Sequence, residues 1–180
     1  MSIEESLAGV GVARHAAAAL AVAASRAQGM IVFCGPAGVG KTTLAQLLVS
    51  AQRHGVMHWL GDLRLPDEIG EALAQAERES VVAVVRSGQS RGLRDRWSDM
   101  GLVATLVDRA SVFTVTLRRL ARAGTEHARS PSKMVDVLVL EILGPDGSAV
   151  TGSLADEARA LVAAGVTTAD EARFNVPDYV

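Results

Sequence analysis

A glycine-rich segment near the start of the chain has the residue types and spacing that bind phosphate. Residues 35–43 read GPAGVGKTT, which contains the spacing Gly-x-x-x-x-Gly-Lys-Thr of a P-loop, or Walker A motif. Its glycines let the backbone present N–H groups to phosphate oxygens, its lysine can reach the β- and γ-phosphates, and its threonine hydroxyl can bind Mg²⁺. The segment predicts a site for ATP or ADP with Mg²⁺, formed by Gly35, Pro36, Ala37, Gly38, Val39, Gly40, Lys41, Thr42 and Thr43.

Three side chains are candidates for catalysis, and two are candidates for holding the metal. Lys41 belongs to the loop and Thr42 is its metal-binding hydroxyl. Asp62 follows the second predicted strand, where a carboxylate lies at the ligand-binding edge of a parallel sheet and can reach Mg²⁺. The same residue can instead serve as a turn or capping residue before Pro66. Arg86, after the third predicted strand, is a candidate for contacting phosphate or a neighbouring subunit.

Other polar residues have simpler interpretations. Arg91, Arg94 and Arg96 follow Arg86 closely, but their spacing favours a solvated helix face over a site. Glu141 stands in the apolar run VLVLEIL, and we expect it on the exposed face of a strand. His54 and His58 flank a predicted strand, which does not favour a metal site.

The elements that position these residues alternate between strand and helix over the first 125 residues. This alternation predicts an α/β fold with a largely parallel sheet that is covered by helices on both faces. A hairpin is predicted over 135–150, because Pro-Asp-Gly supplies turn chemistry, and a helical tail is predicted over about 153–175. We expect strands at 30–34, 56–60, 80–86 and 102–107, and helices at 2–27, 41–53, 66–79, 89–100 and 107–124.

Length and composition limit the class of protein. A chain of 180 residues fits one domain, 1–180, and a net charge of −2 does not suggest a nucleic-acid partner. The single cysteine, Cys34, lies in an apolar run and fits a buried position in a reducing compartment. The alanine-rich segment 16–25 is too short to span a bilayer and lacks a basic segment before it. We therefore expect a cytoplasmic protein without a membrane span.

Beyond the loop, three stretches resemble the ATPases of type II secretion and type IV pilus machines. These are the approach to the loop and the loop itself (8–48), the stretch VVAVVRSGQSRGLRDRWSDMGLVATLV (81–107), and the end of the chain (137–174), where an E-I-L strand precedes a helical tail. The resemblance implies a RecA-like P-loop NTPase fold and ATP or ADP with Mg²⁺ as ligands. It also implies partners among the components of a secretion or pilus assembly, or further copies of this chain in a weak oligomer.

The chain departs from this family at positions that serve hydrolysis. With Arg86 matched to the arginine of the family's Gly-Glu-x-Arg-Asp segment, the glutamate position falls on Val84 and the aspartate position on Ser87. The histidine of the family's Thr-Leu-His segment is matched by Val107, and its acidic segment after the second strand by Gly61-Asp62. We expect no counterpart of the family's amino-terminal domain, because the residues before the loop leave no room for it. The resemblance therefore implies a reduced relative that binds ATP with weak or lost hydrolysis.

Two alternatives stay open at this point. The chain can be an active motor ATPase that takes its carboxylate from Asp62 or from a neighbouring subunit. It can also be a small-molecule kinase built on the same loop, with the basic segment 86–96 as its lid.

Overall fold

The computed structural model describes residues 2–52, 56–87, 92–102, 104–124 and 136–180. In chain order, its elements are α1 (Ile3–Ala8), α2 (Arg14–Ala24), β1 (Gly29–Cys34), α3 (Lys41–Ser50), β2 (Met57–Leu63), α4 (Pro66–Ala76), β3 (Ser80–Val85), α5 (Leu93–Asp99), α6 (Ala104–Arg109), β4 (Val112–Ala121), β5 (Asp136–Leu143), α7 (Leu154–Ala163) and α8 (Ala169–Asn175).

The strands of these residues form one sheet in the order β2-β3-β1-β4-β5. Neighbouring strands are parallel, except that β4 and β5 are antiparallel. The predicted mixed α/β fold with a largely parallel sheet is therefore confirmed. The strand before the glycine loop, β1, lies at the centre and is buried along its whole length, as its continuous apolar run predicts.

Helices cover both faces of the sheet, because alternate residues of each strand point to opposite sides. On one face, Ile31 and Phe33 of β1 pack with apolar residues of α1, α2 and α3. On the other face, Met30 and Val32 pack with α4, α5 and α6. Helices α7 and α8 cover the β4–β5 end of this second face and bury Leu120.

Two predicted elements near the middle of the chain are wrong in type. Residues 102–107 were expected to form a strand, but helix α6 begins at Ala104 and packs beside α4. Residues 107–124 were expected to form a helix, but β4 occupies Val112–Ala121. Apolar residues three and four apart suggested the helix, whereas pairing with β1 and β5 on both sides makes the segment a strand. Tertiary context of this kind commonly overrides local propensity.

Both ends of the chain follow the predicted patterns with one exception. The capping box of Ser2 and Glu5 is present, but the expected helix over 2–27 is divided into α1 and α2, and Gly11 between them has a φ of +88°. After β5, the predicted turn forms, with the Gly147 N–H donating to the Gly144 carbonyl at 2.9 Å, and Ala149 bridges back to Leu143. The helical tail is confirmed as α7 and α8.

Candidate functional site

The glycine loop, residues 35–40, connects β1 to α3 and is anchored by the strands on either side of β1. The Gly35 N–H donates to the Ser87 carbonyl after β3 at 2.7 Å. A Cβ at residue 35 would lie 2.7 Å from the Leu117 carbonyl oxygen of β4, and the φ of Gly35 is +141°. Only glycine fits this contact and this backbone conformation without strain. The loop therefore begins at a fixed point at the centre of the sheet.

The other end of the loop forms the amino terminus of α3. Gly40 is the N-cap with a φ of +100°, and no side chain caps the ten-residue helix. A Cβ at Gly38 would meet no atom within 4 Å, so the space in front of the loop is open. Uncapped N–H groups at a helix start, together with the helix dipole, attract anions. The arrangement has the form that the glycine spacing predicts for a phosphate site.

Lys41 folds back across the loop. Its Nζ donates to the carbonyl oxygens of Gly35 at 2.8 Å and Pro36 at 2.6 Å. Partial burial lowers the pKa of Lys41 below its ordinary value, and the nearby Asp62 carboxylate opposes that shift. The ammonium group of Lys41 therefore lies at the loop on two carbonyl oxygens, and its positive charge remains available to an anionic ligand.

Asp62 and Arg86, both predicted as site residues, are in direct contact. The strand β2 is irregular between Trp59 and Asp62, and Gly61 there has a φ of +87°. Oδ2 of Asp62 accepts from Arg64 Nη2 at 3.0 Å and from Arg86 Nε at 3.3 Å. Asp62 also acts electrostatically on Lys41, so these residues form one charged group beside the loop.

The capping role that was considered for Asp62 belongs to another residue. Oε2 of Glu68, in the first turn of α4, accepts from the N–H groups of Arg64 at 2.7 Å and Leu65 at 3.0 Å. These two hydrogen bonds lower the pKa of Glu68 below its ordinary value. The start of α4 is therefore stabilised without Asp62, whose carboxylate lies with the two arginines.

The two valines that were matched to the family's hydrolytic residues lie in the core. Val84 is buried and packs on the face that α3 covers, beside Asp62 on the neighbouring strand. Val107 is buried on α6, in the cluster on the opposite face. Because 102–107 forms no strand at the sheet edge, the match of Val107 to the family's histidine is not supported by position. The carboxylate closest in register to Val84 is that of Asp62.

A cavity of about 650 Å³ opens in front of the loop. Its walls are the loop and the start of α3, the connection between α1 and α2, and the facing ends of β4 and β5. This volume is in the range of small-molecule sites. Sequence reasoning missed three charged residues of the wall, which are Arg119, Arg122 and Asp136.

These residues were missed because β4 was predicted as a helix. Over residues 113–118, FTVTLR, apolar and polar residues alternate with period two, a pattern typical of a strand. Had that pattern been preferred, the arginines that follow it would have been expected at the ligand-binding edge, since β4 is parallel to β1. The signal was therefore present in the sequence.

The remaining predicted polar residues do not line the cavity at the loop, or they lie outside the described residues. Arg94 pairs with Asp108 at 2.9 Å, and Arg96 is exposed on α5. His58 contacts Glu79 at 3.3 Å on the opposite end of the sheet from the loop. Arg91 and His54 lie outside the described residues.

The expectation that Glu141 lies on an exposed face is wrong. Glu141 is 4% exposed, and it pairs in register with the buried Thr116 of β4. It is near the buried guanidinium of Arg118, whose pKa is lowered by burial and raised by Cys34 and Glu141. The helices α7 and α8 cover this part of the sheet, which is why the face predicted to be open is closed.

Cys34 is buried, as expected, at the carboxyl end of β1. Burial raises the pKa of its thiol to about 12, against smaller effects of Lys41 and Arg118. The thiol is therefore neutral at physiological pH and acts as a small apolar group beneath the loop.

The residues in the cavity fit a nucleotide with Mg²⁺. Thr42 lies on the wall with its side chain exposed. The described residues contain no cluster of three or more His, Cys, Asp or Glu side chains that could hold a metal ion. In nucleotide sites Mg²⁺ takes few protein ligands and several from phosphate and water. Thr42 on the cavity wall offers one such protein ligand, whereas Asp62 is not among the residues that line the cavity.

The chain matches no protein-family model and no curated protein sequence. In the described part of the chain, no helix combines the length and the apolar character that crossing a bilayer requires. The function is therefore argued from the site itself and from the motifs that resemble secretion and pilus ATPases.

Proposed function

We propose that the protein binds ATP or ADP with Mg²⁺ and hydrolyses ATP weakly or not at all. The observation that carries the proposal is the glycine loop between a buried central strand and an uncapped helix start, which opens on the cavity of about 650 Å³. This strand-loop-helix context is what distinguishes a P-loop from a chance glycine motif.

Each residue of the loop has a defined task in this proposal. The N–H groups of residues 38–43 and the dipole of α3 hold phosphate oxygens, and Lys41 exchanges its two carbonyl partners for the β- and γ-phosphates. Thr42 binds Mg²⁺, and Asp62, whose charge acts on Lys41, is the candidate for a second ligand. When bound, Mg²⁺ neutralises phosphate charge.

We extend the proposal to a RecA-like fold and to the secretion and pilus ATPase family. One strand, β3, lies between the loop strand β1 and β2, which carries Asp62. Support for this extension comes from the largely parallel sheet with the loop after its central strand, together with the motifs that resemble the family. If the family assignment holds, the partners are components of a secretion or pilus assembly, or other copies of the chain in a weak oligomer.

Weak hydrolysis is proposed because the carboxylate nearest the loop lysine is already engaged. Two guanidinium groups, of Arg64 and Arg86, share Oδ2 of Asp62. Phosphoryl transfer depends on positioning a water molecule for attack, and a carboxylate held by two arginines is poorly placed to do so. The glycine loop can thus bind a nucleotide even though no group is well placed to activate water for hydrolysis.

A working ATPase is the second candidate, and the position of Asp62 favours it. Asp62 is the acidic residue that raises the pKa of Lys41. If a partner or the nucleotide displaced the arginines, Asp62 would be free to orient water or to hold Mg²⁺. The two candidates predict the same binding and differ only in turnover.

Calorimetric titration with Mg-ADP and Mg-ATP tests the binding proposal. We expect the wild type to bind both, and Lys41→Ala to weaken binding by about tenfold or more, since a charge-assisted contact to phosphate is lost. Arg173→Gln is a matched control, because Arg173 is exposed on α8 and pairs only locally with Asp170. Equal affinities in the wild type and Lys41→Ala, or no binding by the wild type, would contradict the proposal.

A further inference from the structure

An arginine of β4, Arg119, lies directly against the glycine loop. Its Nη2 donates to the Val39 carbonyl at 3.3 Å. The same nitrogen is 3.2 Å from the position that a Cβ would take at Gly40, the N-cap of α3. The guanidinium is therefore next to the uncapped N–H groups of the helix start, where the phosphates of a nucleotide are expected.

The hydrogen-bonding capacity of this guanidinium is only partly used. Arginine offers five N–H donors in a planar fork. Nε of Arg119 is buried and finds no hydrogen-bond partner among the described residues. Nη1 is 3.6 Å from Oδ2 of Asp136, a loose ion pair. Since buried donors nearly always have a partner in native proteins, this guanidinium has hydrogen-bonding capacity that the described residues do not use.

The surroundings of Arg119 specify the charge of that group. Arg119 lines the cavity together with Lys41 and Arg122, and Asp136 is the one acidic side chain that shares this wall among the described residues. Such a cavity attracts an anion. The planar fork of arginine matches phosphate oxygens in two-point contacts that lysine cannot make.

We propose that Arg119 is a phosphate-contacting residue of the nucleotide site, with Asp136 holding its guanidinium loosely until the ligand binds. This proposal rests on the proposed function and deepens it. It assigns a direct contact with the phosphate chain of a nucleoside di- or triphosphate to a residue of β4, beyond the loop. Antiparallel pairing of Arg119 with Leu138 on β5 fixes the side chain on the cavity side of the sheet edge.

Titration of Mg-ADP and of magnesium pyrophosphate into four proteins tests this contact. The proteins are the wild type, Arg119→Gln, Arg119→Lys and the charge-matched surface control Arg173→Gln. We expect Arg119→Gln to weaken both ligands by about tenfold or more, as loss of a charge-assisted hydrogen bond does. Arg119→Lys should fall between it and the wild type, and Arg173→Gln should bind as the wild type does.

The outcomes separate this proposal from the one it rests on. If the wild type binds neither ligand, the proposed function fails. If the wild type binds and Arg119→Gln binds equally well, the nucleotide site stands and the role of Arg119 is overturned. Weakening for ADP alone also overturns it, because the contact would then be with the nucleoside. If Arg119→Gln does not fold, Arg119→Lys decides, and wild-type affinity in that variant overturns the proposal.

Discussion

At the scale of single residues, Lys41 shows how a loop can hold a charge ready for a ligand. Its ammonium group rests on two backbone carbonyls, of Gly35 and Pro36, and not on a carboxylate. Removing it from those carbonyls therefore breaks no direct ion pair in the described structure. Burial lowers its pKa, so the group that must be charged to bind phosphate loses its proton more readily than an exposed lysine does.

This shift predicts a pH dependence of nucleotide affinity. The protonated form of Lys41 binds phosphate, and its pKa in the free protein lies below the ordinary lysine value. Affinity should be full below that pKa and should fall as pH rises through it, beginning at a lower pH than an ordinary lysine would give. Titrations of Mg-ADP between about pH 7 and 10 measure the decline. Lys41→Arg should show a flatter profile, because arginine stays protonated over this range; equal declines in both proteins would contradict the assignment to Lys41.

Asp62 gives the prediction that separates binding from cleavage. Because Arg64 and Arg86 occupy its carboxylate, we expect steady-state phosphate release below about one per second, under the common range of enzymes. Asp62→Asn should then change turnover little, while Lys41→Ala abolishes what remains. Turnover above about one per second that falls at least tenfold in Asp62→Asn would show that Asp62 serves as the catalytic carboxylate and that the second candidate is correct.

At the scale of elements, the loop and its two flanking elements could be predicted from sequence, whereas the sequence of β4 carries signals for both a strand and a helix. The run from Met30 to Thr43 carries local information in each residue type: a buried strand, a glycine turn and a helix start. The segment around Leu117 and Arg119 has leucine spacing that fits a helix and β-branched alternation that fits a strand. Pairing with β1 and β5 decides between them, and that pairing is not visible in a local window. The error also hid Arg119 and Asp136 from the predicted site.

Two glycines of the loop should differ in their tolerance of alanine. Gly35 has a φ of +141° and approaches the Leu117 carbonyl so closely that a Cβ would lie 2.7 Å away. Gly38 has a φ of +77° but no atom within 4 Å of the Cβ position. We expect Gly38→Ala to lower the free energy of unfolding by roughly 1–2 kcal/mol through its backbone conformation alone, and Gly35→Ala to lower it by more, because a clash with β4 is added. Urea unfolding measures both; equal losses would show that backbone conformation alone, and not the contact with β4, restricts residue 35.

At the scale of the whole molecule, the cavity joins parts of the chain that are far apart in sequence. Residues 8–11 between α1 and α2, the loop with the start of α3, and the facing ends of β4 and β5 contribute to its wall among the described residues. The lining residues at those two strand ends are Arg119, Arg122, Asp136 and Leu138. Strand β1 is the middle strand of the sheet, so a ligand bound at its carboxyl end is expected to contact the loop, the α1–α2 connection and the ends of β4 and β5. A bound nucleotide is therefore expected to stabilise the fold as a unit and not only its loop.

Thermal unfolding and hydrogen exchange test this coupling together. A ligand present at about 100 times its dissociation constant stabilises the native state by roughly 2.7 kcal/mol. For a chain of this length that corresponds to a rise of roughly 5–10 °C in Tm. Mg-ADP should produce this rise in the wild type and in Arg173→Gln at the same concentration, and a much smaller one in Lys41→Ala.

Hydrogen exchange should slow at residues 8–11 and 136–138 as well as at 38–43, because all three segments contribute to the cavity wall. Protection confined to 38–43 would mean that the nucleotide contacts the loop alone and that the rest of the cavity takes no part in binding.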